Sequence, residues 1–164
     1  MKIYLVGMPG SGKSTLGKRL AEALMMTFID LDGEIEKHEG KSIPEIFIER
    51  GENYFREIES RLLKEWAASS VNFVMATGGG APCFFHGMDV INKSGFSIFL
   101  QVPLPKLMNR VSGNTNRPLL EQADEREATL RRLYESRLPC YQRANITVSD
   151  PDLHKLMEAI HFKN

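Results

Sequence analysis

The stretch Gly7-Met8-Pro9-Gly10-Ser11-Gly12-Lys13-Ser14-Thr15 leaves few folds open to this chain. It fits a pattern of one glycine, four free positions, then Gly-Lys-Ser/Thr. Ile3-Tyr4-Leu5-Val6 before it has the character of a buried strand. After it Leu16, Leu20 and Leu24 recur near helical spacing, with Ala21 and Ala23 beside them. A strand, a glycine loop and a helix in that order make successive amide N–H groups ring an anion at the positive end of the new helix. Gly10, Ser11, Gly12, Lys13, Ser14 and Thr15 are therefore expected to cradle the phosphates of a nucleoside triphosphate. Lys13 is expected to reach the β- and γ-phosphates, and the Ser14 hydroxyl to ligate Mg²⁺.

Residues 1–164 have the length of a single domain. Lys plus Arg balances Asp plus Glu at 21 each, so bulk charge draws the chain toward neither nucleic acid nor membrane. An anion site must then be built from locally placed arginines. One lysine and four apolar residues before the glycine loop are too few for a signal peptide, and no apolar run nears membrane-spanning length. A cytoplasmic location is expected. Cys83 and Cys140 stand in no paired metal or redox spacing and read as small, partly buried apolar side chains.

Thr27 to Asp32 reads as a second strand, in which Asp30 and Asp32 point the same way if the strand runs through both. A helix from Gly33 to about Glu39 is expected to be capped by Gly40. Ser42-Ile43-Pro44-Glu45 has capping-box spacing and starts a helix with Ile46, Phe47 and Ile48, which Gly51 breaks. From Glu52 to Ala68 a longer helix lines up Phe55, Ile58, Leu62 and Trp66, with Arg56 and Glu59 three apart. Val71–Ala76 is a third strand, closed by Gly78-Gly79-Gly80, and a helix is expected from Phe84 to Asn92. The strand Phe96–Val102 and the helix Leu104–Val111 follow. Residues about 112–123 lose the apolar period and read as a mobile lid. Asp124 is expected to cap a helix Glu125–Arg137 ended by Pro139; Ile146–Val148 forms the last strand, and Pro151 opens the last helix. Strands alternating with helices predict a three-layer α/β/α fold on a parallel sheet of about five strands.

Phosphoryl transfer needs a metal-bound triphosphate, a positioned acceptor and cations for the spreading charge. Asp30, at a strand end, suits the surroundings of the metal, and Asp32 suits the acceptor hydroxyl. Arg56, Arg117 and Arg137 are candidate anion ligands. Gly78, Gly79 and Gly80 allow a ligand close to the backbone and offer unhindered N–H donors.

Taken together, several motifs resemble the shikimate kinase family of P-loop kinases. They are Gly7–Thr15, Asp30-Leu31-Asp32 with Ile35-Glu36, Gly40–Ile43 with Glu45–Phe47, and Gly51-Glu52 with Phe55–Glu59. Gly78–Ala81, Arg117-Pro118-Leu119-Leu120, and Arg137 with Tyr141 complete the set, in order and spacing from about Ile3 to Val148. The resemblance implies that Asp32, Arg56, Gly78, Gly79, Gly80 and Arg137 hold shikimate, within substrate-binding helices over about residues 33–62. Lys13 and the lid residue Arg117 would stabilise the transferring γ-phosphoryl of ATP, Arg110 would stack near adenine, and Phe47 and Phe55 would wall the ring. With Asp32 these give Lys13, Asp32 and Arg117 as catalytic residues, and Ser14 and Asp30 for Mg²⁺. A monomer acting on ATP and shikimate, with no nucleic-acid or membrane partner, is the implied form.

Two positions depart from the family pattern. Met25-Met26 stands where many relatives turn with glycine, and Ser149-Asp150-Pro151 lacks the basic residue some relatives place by adenine. Two other readings stay open. Asp30-Leu31-Asp32-Gly33 fits the Asp-x-x-Gly of nucleotide switches, although Asn92-Lys93-Ser94-Gly95 lacks the aspartate that would read guanine. A kinase for gluconate or a nucleoside monophosphate is the other.

Overall fold

The computed structural model of the chain describes residues 1–112 and 120–162. Arg117 and the central part of the expected lid lie outside the described residues. The elements are β1 (Lys2–Val6), α1 (Lys13–Leu24), β2 (Thr27–Asp30), α2 (Leu31–Glu39), α3 (Ile43–Ala68) and β3 (Phe73–Ala76). A short 3₁₀ turn (Ala81–Cys83) leads to α4 (Gly87–Ser94), β4 (Phe96–Gln101), α5 (Leu104–Ser112), α6 (Leu120–Tyr141), β5 (Ile146–Ser149) and α7 (Leu153–His161).

Successive side chains of β1 point to opposite faces, and each face leads to its own core. Ile3 and Leu5 pack with Leu20 and Ala21 of α1 and with Leu156, Ala159 and Ile160 of α7. Tyr4 and Val6 pack with Ile35 of α2, Ile58 and Leu63 of α3, Ile91 of α4, Leu107 of α5 and Tyr141 of α6. Ile3 through Val6 are all fully buried, as expected of a parallel strand covered on both sides. The sheet has the order β2-β3-β1-β4-β5, every neighbouring pair parallel. From β1 the chain leaves through α1 toward β2; from β3 it leaves through α4 toward β4, on the other side. The carboxyl ends of β1 and β3 therefore flank the crevice where such sheets take ligands. Among the described residues no helix is long and apolar enough to cross a membrane.

The expected caps at Gly40 and Ser42 form. Gly40 ends α2 at φ 69°, and in the Ser42 box the Ser42 hydroxyl accepts from Glu45 N while the Glu45 carboxylate accepts from Ser42 N. Met25 takes the left-handed C-cap of α1 at φ 53°, in place of a glycine. Other boundaries shift. β2 stops at Asp30, whose carboxylate accepts from Gly33 N and caps α2, so Asp32 sits in a helical turn and not on a strand face. α4 begins at Gly87, because the 3₁₀ turn and the left-handed Phe85 and His86 fill the span where a helix was expected. Asp124 and Pro139 both lie inside α6 rather than at its ends. The last turn survives Pro139 because Tyr141 is fully buried and its hydroxyl donates to Gly79 O at 2.6 Å. Asp152, accepting from Lys155 N, caps α7 one residue beyond Pro151.

α3 is kinked at Gly51, as expected: this residue leaves the helical conformation for φ 82° and ψ 172°, a region open almost only to glycine. Gly51→Ala should therefore destabilise the fold by about 1–3 kcal/mol, although an added methyl group would meet no neighbour within 4 Å. Urea denaturation measures this; a variant as stable as the parent would mean the kink relaxes at no cost.

Candidate active site

An open cleft of about 600 Å³ lies across the carboxyl ends of β1, β2 and β3. Its walls include Gly10, Gly12, Lys13, Ser14 and Thr15 of the glycine loop, Asp30, Asp32 and Glu36 of the second crossover, and Thr77 and Gly79 after β3. Gly12, at φ 93°, caps α1 without any side-chain hydrogen bond, and no acid sits in the first turn. The free amides of that turn are left to an anion.

Lys13 is buried, and its ammonium donates to the carbonyls of Gly7 and Met8, both at 2.8 Å. Burial pulls its pKa down to about 8, against the opposing pull of the Asp32 carboxylate. The Ser14 hydroxyl donates to Asp30 Oδ2 at 2.8 Å. The Ser11 side chain is buried, and its backbone N–H donates to Met8 O. Arg110 arrives from α5 and donates to Gly10 O at 2.8 Å, so its guanidinium braces the glycine loop.

At the end of β3 the three glycines admit charged side chains that a Cβ would push away. A methyl group on Gly78 would stand 2.8 Å from both Asp32 Oδ1 and Glu59 Oε2. One on Gly79 would meet Arg137 Nη1 at 3.0 Å, and one on Gly80 would overlap the Arg56 guanidinium, with Cζ at 2.6 Å. Arg56 donates from Nη1 to Glu59 Oε1 at 2.9 Å and from Nε to Glu52 Oε1 at 3.4 Å. Burial, then the neighbouring Asp30 carboxylate, push the Asp32 carboxyl above the usual carboxylate range. Glu59 is likewise raised by burial, against the pull of Arg56, and its Oε2 has no hydrogen-bond partner among the described residues. Tyr141, raised by burial, binds Gly79 O and fixes that carbonyl.

The fold thus brings together Lys13, Ser14, Asp30, Asp32, Arg56, Gly78, Gly79, Gly80 and Arg137, all singled out from sequence. Phe47 and Phe55 stack beside them with centroids 4.7 Å apart; Phe55 is buried and Phe47 partly exposed. Other features left no local signal. Lys106 of α5 donates to the Asp150 carboxylate and Lys155 of α7 to the Asp150 carbonyl, so two basic groups reach that loop from outside it. The Cys83 and Cys140 side chains, both free and half-buried, come together despite their separation in sequence. Glu36 and Thr77 were not singled out as ligands, yet both line the cleft.

Comparison with known proteins agrees with this geometry. A family model described as "SKI: Shikimate kinase" matches residues 9–161. The chain is 44% identical over 147 residues to a shikimate kinase of Persephonella marina, covering 90% of this chain and 87% of that protein. The crystal structure of shikimate kinase from Bacteroides thetaiotaomicron superposes with a TM-score of 0.85 at 36% identity, over 99% of this chain and 96% of that one. A shikimate kinase from Acinetobacter baumannii, solved in complex with shikimate, superposes with a TM-score of 0.88 at 35% identity, over 99% and 94%.

Because Gly80 has no room for a Cβ, Gly80→Ala should cost about 1–3 kcal/mol of stability by forcing Arg56 off Glu59. Gly79→Ala, meeting Arg137 Nη1 and the Pro9 ring at 3.0 Å, should cost less. Denaturant midpoints of the two variants test the order; equal midpoints would mean that Arg56 swings away freely.

Proposed function

The chain belongs to the shikimate kinase family, and from that premise we propose how its residues share the work. It is an ATP-dependent phosphotransferase acting on shikimate, which decides among the acceptors left open by the sequence. The observation that carries the division of roles is the convergence of Asp32, Arg56 and Arg137 on Gly78–Gly80, beside Lys13.

Gly10 to Thr15 hold the triphosphate through the amides of the loop and the first turn of α1. Lys13 leaves the Gly7 and Met8 carbonyls to meet the γ-phosphoryl, where its charge counts most as negative charge spreads in transfer. Arg117 from the lid joins it, and Arg110, braced on Gly10, flanks the adenine side. The oxygen donors of Ser14 and Asp30, already hydrogen-bonded together, suit Mg²⁺, which takes few protein ligands and keeps water and phosphate oxygens. Ser14 would ligate it, with Asp30 behind. When bound, such an ion would help to neutralise the negative charge that develops in transfer.

On the acceptor side, Arg56 and Arg137 grip the shikimate carboxylate, for which planar guanidinium forks are suited, with the Gly79 and Gly80 amides beside them. Asp32 orients the 3-hydroxyl and takes its proton as the oxygen attacks phosphorus. Its raised pKa strengthens it as a base. The products are shikimate 3-phosphate and ADP. We propose a cytoplasmic monomer working on these two small molecules.

Purified protein should release ADP far faster with shikimate than without it; equal rates in a coupled assay would contradict the acceptor assignment. Asp32→Asn should leave shikimate binding within about tenfold but lower kcat by about 10²–10⁴-fold. Arg137→Lys, keeping charge but losing the fork, should weaken binding by about 1.5–3 kcal/mol. Isothermal titration and single-turnover kinetics separate the two, and the reverse pattern would exchange their roles.

The Lys13 pKa gives a pH test. Lys13 is charged below about pH 8 and loses its proton as pH rises through that value, while bound triphosphate favours the charged form. ATP affinity should therefore weaken above about pH 8, and binding there should take up a proton. Titration heats that vary with buffer ionisation enthalpy in the parent, and not in Lys13→Met, would show it; pH-independent affinity would contradict it.

A further inference from the structure

Phe84 has no part in the roles above, yet its ring sits 4.3 Å from Arg56 Cζ, nearer than the Phe55 ring at 5.2 Å. It is 37% exposed, so core packing does not account for its position. The backbone that presents it is unusual. Gly87 N donates to Phe84 O at 2.9 Å across a turn whose central residues, Phe85 and His86, both have positive φ, 48° and 57°. Turns of that kind normally use asparagine or glycine there. This one is held from both ends. A methyl group on Gly87 would overlap the Ala81 carbonyl, and Asp89 N and Val90 N both donate to His86 O. Strain kept by such bracing beside a ligand site is a reason to look for a role.

The role follows from how Arg56 is held. Its Nη1 is held by the buried Glu59 at 2.9 Å, and its Nε, more loosely, by Glu52 at 3.4 Å. Two bonds at the rim of the guanidinium set where it sits but resist its tilting poorly. A ring over the face resists tilt, and favours the cation electrostatically. We propose that Phe84 is a positioning residue for the acceptor: stacked on Arg56, it holds the guanidinium plane in line with the shikimate carboxylate. This rests on the acceptor reading above and deepens it. Phe84 itself makes no contact with the reacting atoms.

The parent enzyme is assayed first. Failure of shikimate to stimulate ADP release would overturn the acceptor reading itself, whatever Phe84 does. With that established, Phe84→Ala and Phe84→Leu should each raise the KM for shikimate about 5- to 30-fold, the range of a cation–π contact from exposed to desolvated. Their kcat and KM for ATP should stay within about twofold, which a misfolded variant would not achieve. Phe84→Trp should restore the shikimate KM to within about threefold. Binding of the analogue with the carboxylate reduced to hydroxymethyl, followed by calorimetry, should change less than about twofold on Phe84→Ala, because Arg56 has no anion to meet. The proposal is overturned if Phe84→Leu behaves as the parent does. It is equally overturned if Phe84→Ala weakens the analogue as much as shikimate, or lowers kcat or ATP affinity in place of shikimate affinity.

Discussion

At the carboxyl end of β3 four charged side chains approach one backbone segment because Gly78, Gly79 and Gly80 carry no side chains of their own. The constraint is steric first and electrostatic second. Asp32 and Glu59 close on Gly78, Arg137 on Gly79 and Arg56 on Gly80, so two acids and two bases share a small volume in which Arg56 and Glu59 are buried and Asp32 and Arg137 partly so. Burying any one of them alone would cost several kcal/mol or so; together each is a partner for another. The balance is uneven. Burial dominates at both acids and lifts their pKa values, while the arginines stay charged and act as fixed cations. Tyr141 adds the remaining tie, a hydroxyl from α6 that holds the Gly79 carbonyl and keeps Arg137 and the glycines on one frame.

The phosphate side is built on the opposite plan. Its anion-binding power comes from backbone amides that no cap and no acid compete for, and from one lysine whose own charge burial has weakened. That lysine rests on two backbone carbonyls until something more negative arrives. On the role proposed for Lys13, a multiply charged phosphate is the ligand that repays the loss of both carbonyl contacts.

How much of this could be read from the chain depended on the distance over which each signal acts. The glycine loop, the Ser42–Glu45 box, the Gly40 cap and the Gly51 break are local, and each was found where its residues placed it. Asp30-Leu31-Asp32 was misjudged because a strand end and a helix cap share one pattern there: Leu31 is buried either way, and only the Gly33 N–H shows that Asp30 is a cap. Pro139 misled because proline normally ends a helix, whereas a buried tyrosine two residues later holds the last turn in place. The contact of Arg110 with Gly10, the meeting of Cys83 with Cys140, and the lysines around Asp150 are made by tertiary folding alone, and no periodicity announces them. The acceptor roles we propose for Arg56 and Arg137 were suggested only because several weak motifs stood together in order.

The two cores on either side of the sheet have a bearing on how such an enzyme can diverge. The α2–α6 side carries Asp32, Arg56, Glu59 and Arg137, so a change of volume there is felt at the acceptor. The α1 and α7 side meets the chemistry only through the first turn of α1; Leu156, Ala159 and Ile160 lie behind the full thickness of the sheet. Lineages adapting to hotter or colder surroundings can revise that rear core, trading melting temperature against packing, while the catalytic face keeps its geometry. Repacking behind the sheet should therefore alter stability while leaving the cleft in front of it in place.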